Sequence, residues 1–157
     1  MESALKNYYP DKPVLSYRKT KVEMGKVVQD IKALNYPIDV KRAAYIVFRL
    51  ESANGSKGIN ENYCGFQADS GKWPAKFDGA ISGVVEKIEN GTSKKRLFLA
   101  FNDVSSCLDM LLDRLQARGL HVGGICSKIN ISNAIDLARA YKKSWVVGRL
   151  KRYSFNQ

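Results

Sequence analysis

The 157-residue sequence predicts an α+β fold, mainly helical with one small β-hairpin. Three observations carry that expectation. Four stretches repeat apolar residues at helical spacing, two segments alternate at strand spacing around Asn90–Gly91, and a long Gly-, Asn- and Ser-rich tract separates the first helix pair from the strands.

Residues 1–20, with Pro10 and Pro13, read as an irregular N-terminal arm, and residues 21–157 as one domain long enough to bury a hydrophobic core. The first helix runs from about Val22 to Leu34, with Met24, Val27, Val28, Ile31 and Leu34 on one face. Asn35–Tyr36–Pro37 ends it. Asp39 complements the start of a second helix that runs to Glu51. Strands follow around Val84–Ile88 and Leu97–Phe101, joined through Asn90–Gly91, a strong hairpin signal, with Leu97, Leu99 and Phe101 on one face. A third helix carries Val104, Cys107, Leu108, Leu111, Leu112 and Leu115; Asn102 or Asp103 caps it and Gly119 ends it. The last extends from Ser132 to about Val146, with Ala134, Ala138, Tyr141 and Trp145 at helical spacing.

The most informative residue is Glu51. Val40, Ala44, Val47 and Glu51 form one stripe of the second helix, apolar until its last member. Desolvation by those neighbours and the negative end of the helix dipole would both disfavour an ionised carboxylate, which suits a proton donor. A Glu turned out to solvent at a frayed helix end is the alternative. The tract from Ser52 to Pro74 is longer than most loops inside a domain, and its Tyr63, Phe66 and Trp73 argue against disorder.

Glu51–Ser52 followed by Asn62–Tyr63–Cys64–Gly65–Phe66–Gln67 resembles the lysozyme-like superfamily, particularly lytic transglycosylases, goose-type lysozymes and cell-wall glucosaminidases. The resemblance spans roughly Val40 to Phe101. It implies a mainly helical lysozyme-like domain with a small β-hairpin lobe flanking a cleft. It also implies that Glu51 is the general acid, that Gln67 bonds a sugar near the scissile bond, and that Ser52 and Tyr63 border the cleft. Glu61, where the glucosaminidase pattern has an Asn, and Cys64 depart from the motif.

Glycosidic cleavage requires an acid to protonate the leaving oxygen and support for an oxocarbenium-like centre. A hydrolase takes that support from a second carboxylate; Glu61, Asp69, Asp78 and Glu86 are candidates, Asp69 the first choice. By family resemblance a lytic transglycosylase needs none, because a substrate hydroxyl closes onto the anomeric carbon. Asn62, Gln67 and Asn102 can bond sugar hydroxyls and acetamido groups, and Trp73 can stack on a ring. Each also has a structural reading: Trp73 as a loop anchor, Asn102 as a helix cap, Tyr141 as core rather than cleft.

The net charge of +11 favours an anionic partner. Peptidoglycan glycan strands and other anionic envelope polymers fit; a nucleic-acid partner is not expected, since no zinc finger, RNA-binding aromatic motif or recognition helix accompanies the charge. The basic clusters are Arg18–Lys21, Lys94–Arg96 and Arg149–Arg152. Cys64, Cys107 and Cys126 with one histidine indicate neither a disulfide framework nor a metal site, and no cofactor is expected. Cys107 reads as core. No apolar run approaches the length of a membrane span, and the N-terminus lacks the pattern of a secretory signal. With the resemblance, this suggests a phage muralytic enzyme, held in the host cytoplasm until a holin releases it, or carried on the virion. A non-catalytic wall-binding or virion structural protein on the same scaffold is the competing expectation.

Overall fold

The computed structural model describes residues 5–7, 12–69, 71–88 and 93–155, with side chains described at 12–69, 71–88 and 93–145. The fold is α+β, its strands spread over four small sheets. Among the described residues no helix is long and apolar enough to cross a membrane.

The segment expected to be an irregular arm instead forms β1 (Leu5–Asn7), β2 (Val14–Leu15) and β3 (Lys19–Thr20). Strands of two or three residues are too short for alternation to show in a sequence. Their partners lie far along the chain: β1 pairs with β5 (Lys72–Pro74), β2 runs parallel to β6 (Ile81–Ile88), and β3 pairs with β4 (Gly58–Ile59).

Helix α1 (Met24–Ala33) buries Val27 and Ile31, and α2 (Ile38–Glu51) buries Val40, Ala43, Ala44, Val47 and Phe48, as their periodicity predicts. Strand β6 pairs antiparallel with β7 (Lys95–Phe101) from Ile81 opposite Phe101 to Ile88 opposite Lys95. The predicted Asn90–Gly91 turn lies outside the described residues. Helix α3 (Val104–Arg118) is capped by Asp103, whose carboxylate accepts the Ser106 amide at 2.8 Å, and ends at Gly119 with φ +92°. Asn102 does not cap it. Beyond Gly119 come the ribbon β8 (Leu120–Val122) and β9 (Ile125–Ser127), then α4 (Ala134–Phe155), which continues past the predicted end at Val146. The side chains of the Arg149–Arg152 cluster lie outside those described.

One core joins α1, α2 and α3 to the inner face of β7 and to the loop aromatics. Cys107 is wholly buried in it. Tyr63, Phe66 and Trp73 are buried too, so the long tract is a packed segment stitched down by its aromatics. Trp73 donates its indole N–H to Asp78 Oδ1 at 3.0 Å, and Lys12 lies 3.4 Å from the same oxygen.

Candidate functional site

The direction in which Glu51 leaves α2 is set by Ser52. Its side chain is wholly buried; Oγ donates to Phe48 O at 2.5 Å and accepts the Gly55 amide at 2.8 Å. The serine thereby satisfies a terminal helix carbonyl and begins the turn at once. Ala53, Asn54 and Gly55 follow with φ of +49°, +58° and +81°. At Gly55 a side chain would collide with the Val22 carbonyl, whose own amide is bonded to Gly55 O at 2.9 Å. A glycine is required there by both backbone angle and space.

Glu51 itself is exposed. The expectation that its stripe would desolvate it is corrected here: burial along α2 stops at Val47 and Phe48, and the last residue projects beyond the packed part of the helix. It borders a groove of about 520 Å³. One side of that groove is formed by Tyr17, Lys19, Lys57 and Ile59 around the β3–β4 pair, and another by Lys87 and Phe98 on β6 and β7. Glu51 is the sole carboxylate among the lining residues. The Lys87 ammonium sits 5.6 Å from the centre of the Phe98 ring.

Tyr141 of α4, ninety positions away in sequence, donates its hydroxyl to Glu51 Oε2 at 2.5 Å. Burial, the hydrogen bond and the Glu51 charge all push the Tyr141 pKa up, so the phenol keeps its proton and remains a donor. Tyr141 is partly buried against the core and is not among the groove's lining residues; only its hydroxyl reaches Glu51. Cys64 adjoins the pair. Its thiol is raised well above the usual range by the Cys107 thiol 3.9 Å away, then by burial and by the Glu51 charge, while Arg114 acts in the opposite sense.

The remaining predicted residues divide clearly. Tyr63 borders the groove with a ring almost wholly buried, packed 5.4 Å from Phe48, and its hydroxyl donates to Glu61 Oε1 at 3.1 Å. Burial pushes its pKa up to about 12; a hydrogen bond with Thr20 opposes that rise, and the Glu61 acid beside it adds to it. Asn62 also borders the groove, yet its amide is fully committed: Nδ2 donates to Phe66 O and Leu99 O, both at 2.9 Å, and Oδ1 accepts the Cys64 and Phe66 amides at 3.2 and 3.3 Å. Both donors are spent inside the protein, so it organises the loop rather than holding a sugar.

Four residues do not line the groove. Gln67 is exposed and bridges to Phe98 through its backbone. Asp69 accepts the Leu97 amide at 2.9 Å and lies 3.8 Å from Arg96, which makes it a loop-to-strand tie. Trp73 is core, its faces covered against ring stacking. Asn102 donates to Gly79 O at 2.9 Å.

Sequence reasoning had Lys19 only as part of the basic cluster Arg18–Lys21, and missed the groove's Lys57 and Lys87 and the aromatic Phe98. One signal was available: Phe98 falls on the face of β7 opposite Leu97, Leu99 and Phe101, where an aromatic side chain invites a reason. It also missed Asn60, buried at φ +48°, which accepts the Arg18 amide at 2.9 Å and donates to Ser16 O at 3.0 Å, fastening the N-terminal strands to the loop. Among the described residues no group of three or more His, Cys, Asp or Glu could hold a metal ion. Comparison with protein-family models, with curated proteins and with solved structures finds no match to this chain.

Proposed function

We propose that the protein cleaves the glycan strands of peptidoglycan as a lytic transglycosylase on a lysozyme-like domain, with Glu51 as its single acid and base. One observation carries this reading: Glu51 is the lone carboxylate bordering a sugar-sized groove, and a protonated tyrosine donates to it. The pattern Glu51–Ser52 with Asn62 to Gln67 supports it from the sequence side. The transglycosylase form is preferred over the hydrolase because Asp69, the first choice for a second carboxylate, is engaged with Leu97 and Arg96 outside the groove.

This reading implies the following mechanism. In this mechanism a glycan seated in the groove covers the exposed Glu51 carboxyl, which protonates the leaving oxygen. The carboxylate left behind then accepts the proton of the sugar's own C6 hydroxyl as that oxygen bonds to the anomeric carbon. A 1,6-anhydro end results and no water is consumed. Tyr141 positions the carboxylate through Oε2, leaving Oε1 for the transfer. Tyr17 and Phe98 offer apolar faces to the sugar rings, and the three lysines attract an anionic polymer.

Incubation of wild-type and Glu51→Gln protein with purified sacculi, followed by mass spectrometry of the soluble products, tests this. Anhydro-muropeptides from the wild type, reduced at least 100-fold in the variant, are expected. Reducing ends would overturn the transglycosylase assignment. The same three lysines and the exposure of Glu51 favour a second reading, a groove that grips anionic wall polymer without cutting it. Sacculus binding by folded protein with no released product would establish that reading in place of the first.

A further inference from the structure

A second hollow, of about 570 Å³, lies among α1, α2 and the first turns of α4, built from residues outside the Glu51 groove. Its floor is aliphatic, formed chiefly by Ile31, Ile38, Ile46, Ala134, Ile135 and Ala138. Ile38 and Ile135 are 55% and 56% exposed, an unusual degree for two isoleucines facing the same concavity. The polar part of the lining is entirely cationic apart from Tyr45: Lys32, Lys41, Arg42, Arg139 and Lys142, with no carboxylate among them.

Those five charges are drawn from three helices, and no ion pair joins any of them to another described residue. Lys41 gives its ammonium to the Lys32 carbonyl at 2.9 Å. Like charges set around an apolar floor repel one another, and a bound anion removes that repulsion while its apolar part covers the floor. A second copy of this chain would bring the same cations and a net charge of +11 to the contact, so it fits poorly. The volume lies within the roughly 300–1,000 Å³ of small-molecule sites.

We propose that this hollow binds a single-chain anionic amphiphile, with the alkyl chain along the aliphatic floor and the acid head among Lys32, Arg42, Arg139 and Lys142. The inference is independent of the chemistry at Glu51. It requires affinity to depend on both ends of the ligand. Each methylene added to the chain tightens binding about fourfold until the floor is filled. Replacing the acid by a neutral alcohol weakens it at least tenfold, and so does raising the salt concentration, because the rim charges face solvent.

The test is calorimetric titration of the full chain with decanoate, dodecanoate, dodecyl phosphate and dodecanol, each below its micellar concentration. Expected are one saturable site for the three acids, tighter for dodecanoate than for decanoate, and weak binding of the alcohol. Ile135→Glu sets a carboxylate on the floor at an exposed position that folding tolerates, and weakens dodecanoate binding more than tenfold with an unchanged melting temperature. Arg139→Glu does the same from the rim. Lys57→Glu, in the other groove, leaves it unaltered. A carboxylate-only or phosphate-only response identifies the head group. Equal affinity for dodecanol, absence of saturation, or indifference to Ile135→Glu overturns the proposal. Adsorption to phosphatidylglycerol vesicles without uptake of any monomeric acid also overturns it, in favour of a membrane-surface patch.

Discussion

Replacing Asn62 with alanine separates a loop organiser from a sugar ligand. The variant removes four hydrogen bonds at a residue only 6% exposed. Phe66 O keeps its bond from the Leu99 amide at 3.0 Å, so the carbonyls carry little of the cost. The amides of Cys64 and Phe66 lose the oxygen they share. An unsatisfied buried group costs about 1–3 kcal/mol, and because these two bonds are long, at 3.2 and 3.3 Å, the lower half of the summed range applies, about 2–4 kcal/mol. For a chain of this length the lower bound corresponds to a fall in Tm of about 4–8 °C. Urea unfolding followed by tryptophan fluorescence, with Asn102→Ala as an exposed single-bond control expected within about 1 kcal/mol of wild type, measures it. If Asn62→Ala unfolds within about 1 kcal/mol of wild type, its amide is not holding the loop, and its assignment as a structural residue fails.

Gly119→Ala should destabilise by at least about 2 kcal/mol in the same assay, because a side chain at φ +92° would strike the Ser127 carbonyl and open the turn between α3 and β8. The pKa values of Tyr36, Tyr63 and Tyr141 are all raised on folding, Tyr63 to about 12. The folded protein therefore holds protons that the unfolded chain releases near pH 10. The stability these tyrosines contribute is present in full below about pH 10 and is lost as pH rises through their folded values. Absorbance at 295 nm should show part of the phenolate signal of the eight tyrosines appearing together with unfolding on the alkaline side. Of the three thiols, exposed Cys126 should react with an aromatic disulfide reagent within minutes at pH 8. Buried Cys107, and Cys64 with its raised pKa, should wait for denaturant; Cys126→Ser would abolish the fast phase.

The helices were legible because each must bury one face, and a 3.6-residue repeat survives in the text as Val27 with Ile31, Val40 with Ala44 and Val47, and Leu108 with Leu111, Leu112 and Leu115. The β6–β7 pair was legible from two apolar runs flanking Asn90–Gly91, although burial along the strands follows their position in the sheet more than a period of two. The strands of the first twenty residues were not, because two-residue ladders are defined by a partner elsewhere in the chain. Asn62, Ser52 and Trp73 were singled out as sugar contacts, but their residue types suit internal hydrogen bonds and packing equally well. Which of those uses applies depends on whether a neighbouring backbone group already claims the polar atom.

What the sequence by itself determined, then, is what depends on near neighbours: the helix faces, a cap at Asn102 or Asp103, the Gly119 stop, and Glu51 with Ser52 at the end of α2. Exposure at that helix end, the Tyr141 hydroxyl on Glu51, and the assembly of Lys19, Lys57, Lys87 and Phe98 around one groove were decided by tertiary structure alone. The physical reason is range. Periodicity and capping act over three or four residues, whereas a site is made where segments ninety positions apart meet, and that meeting is set by how whole faces pack.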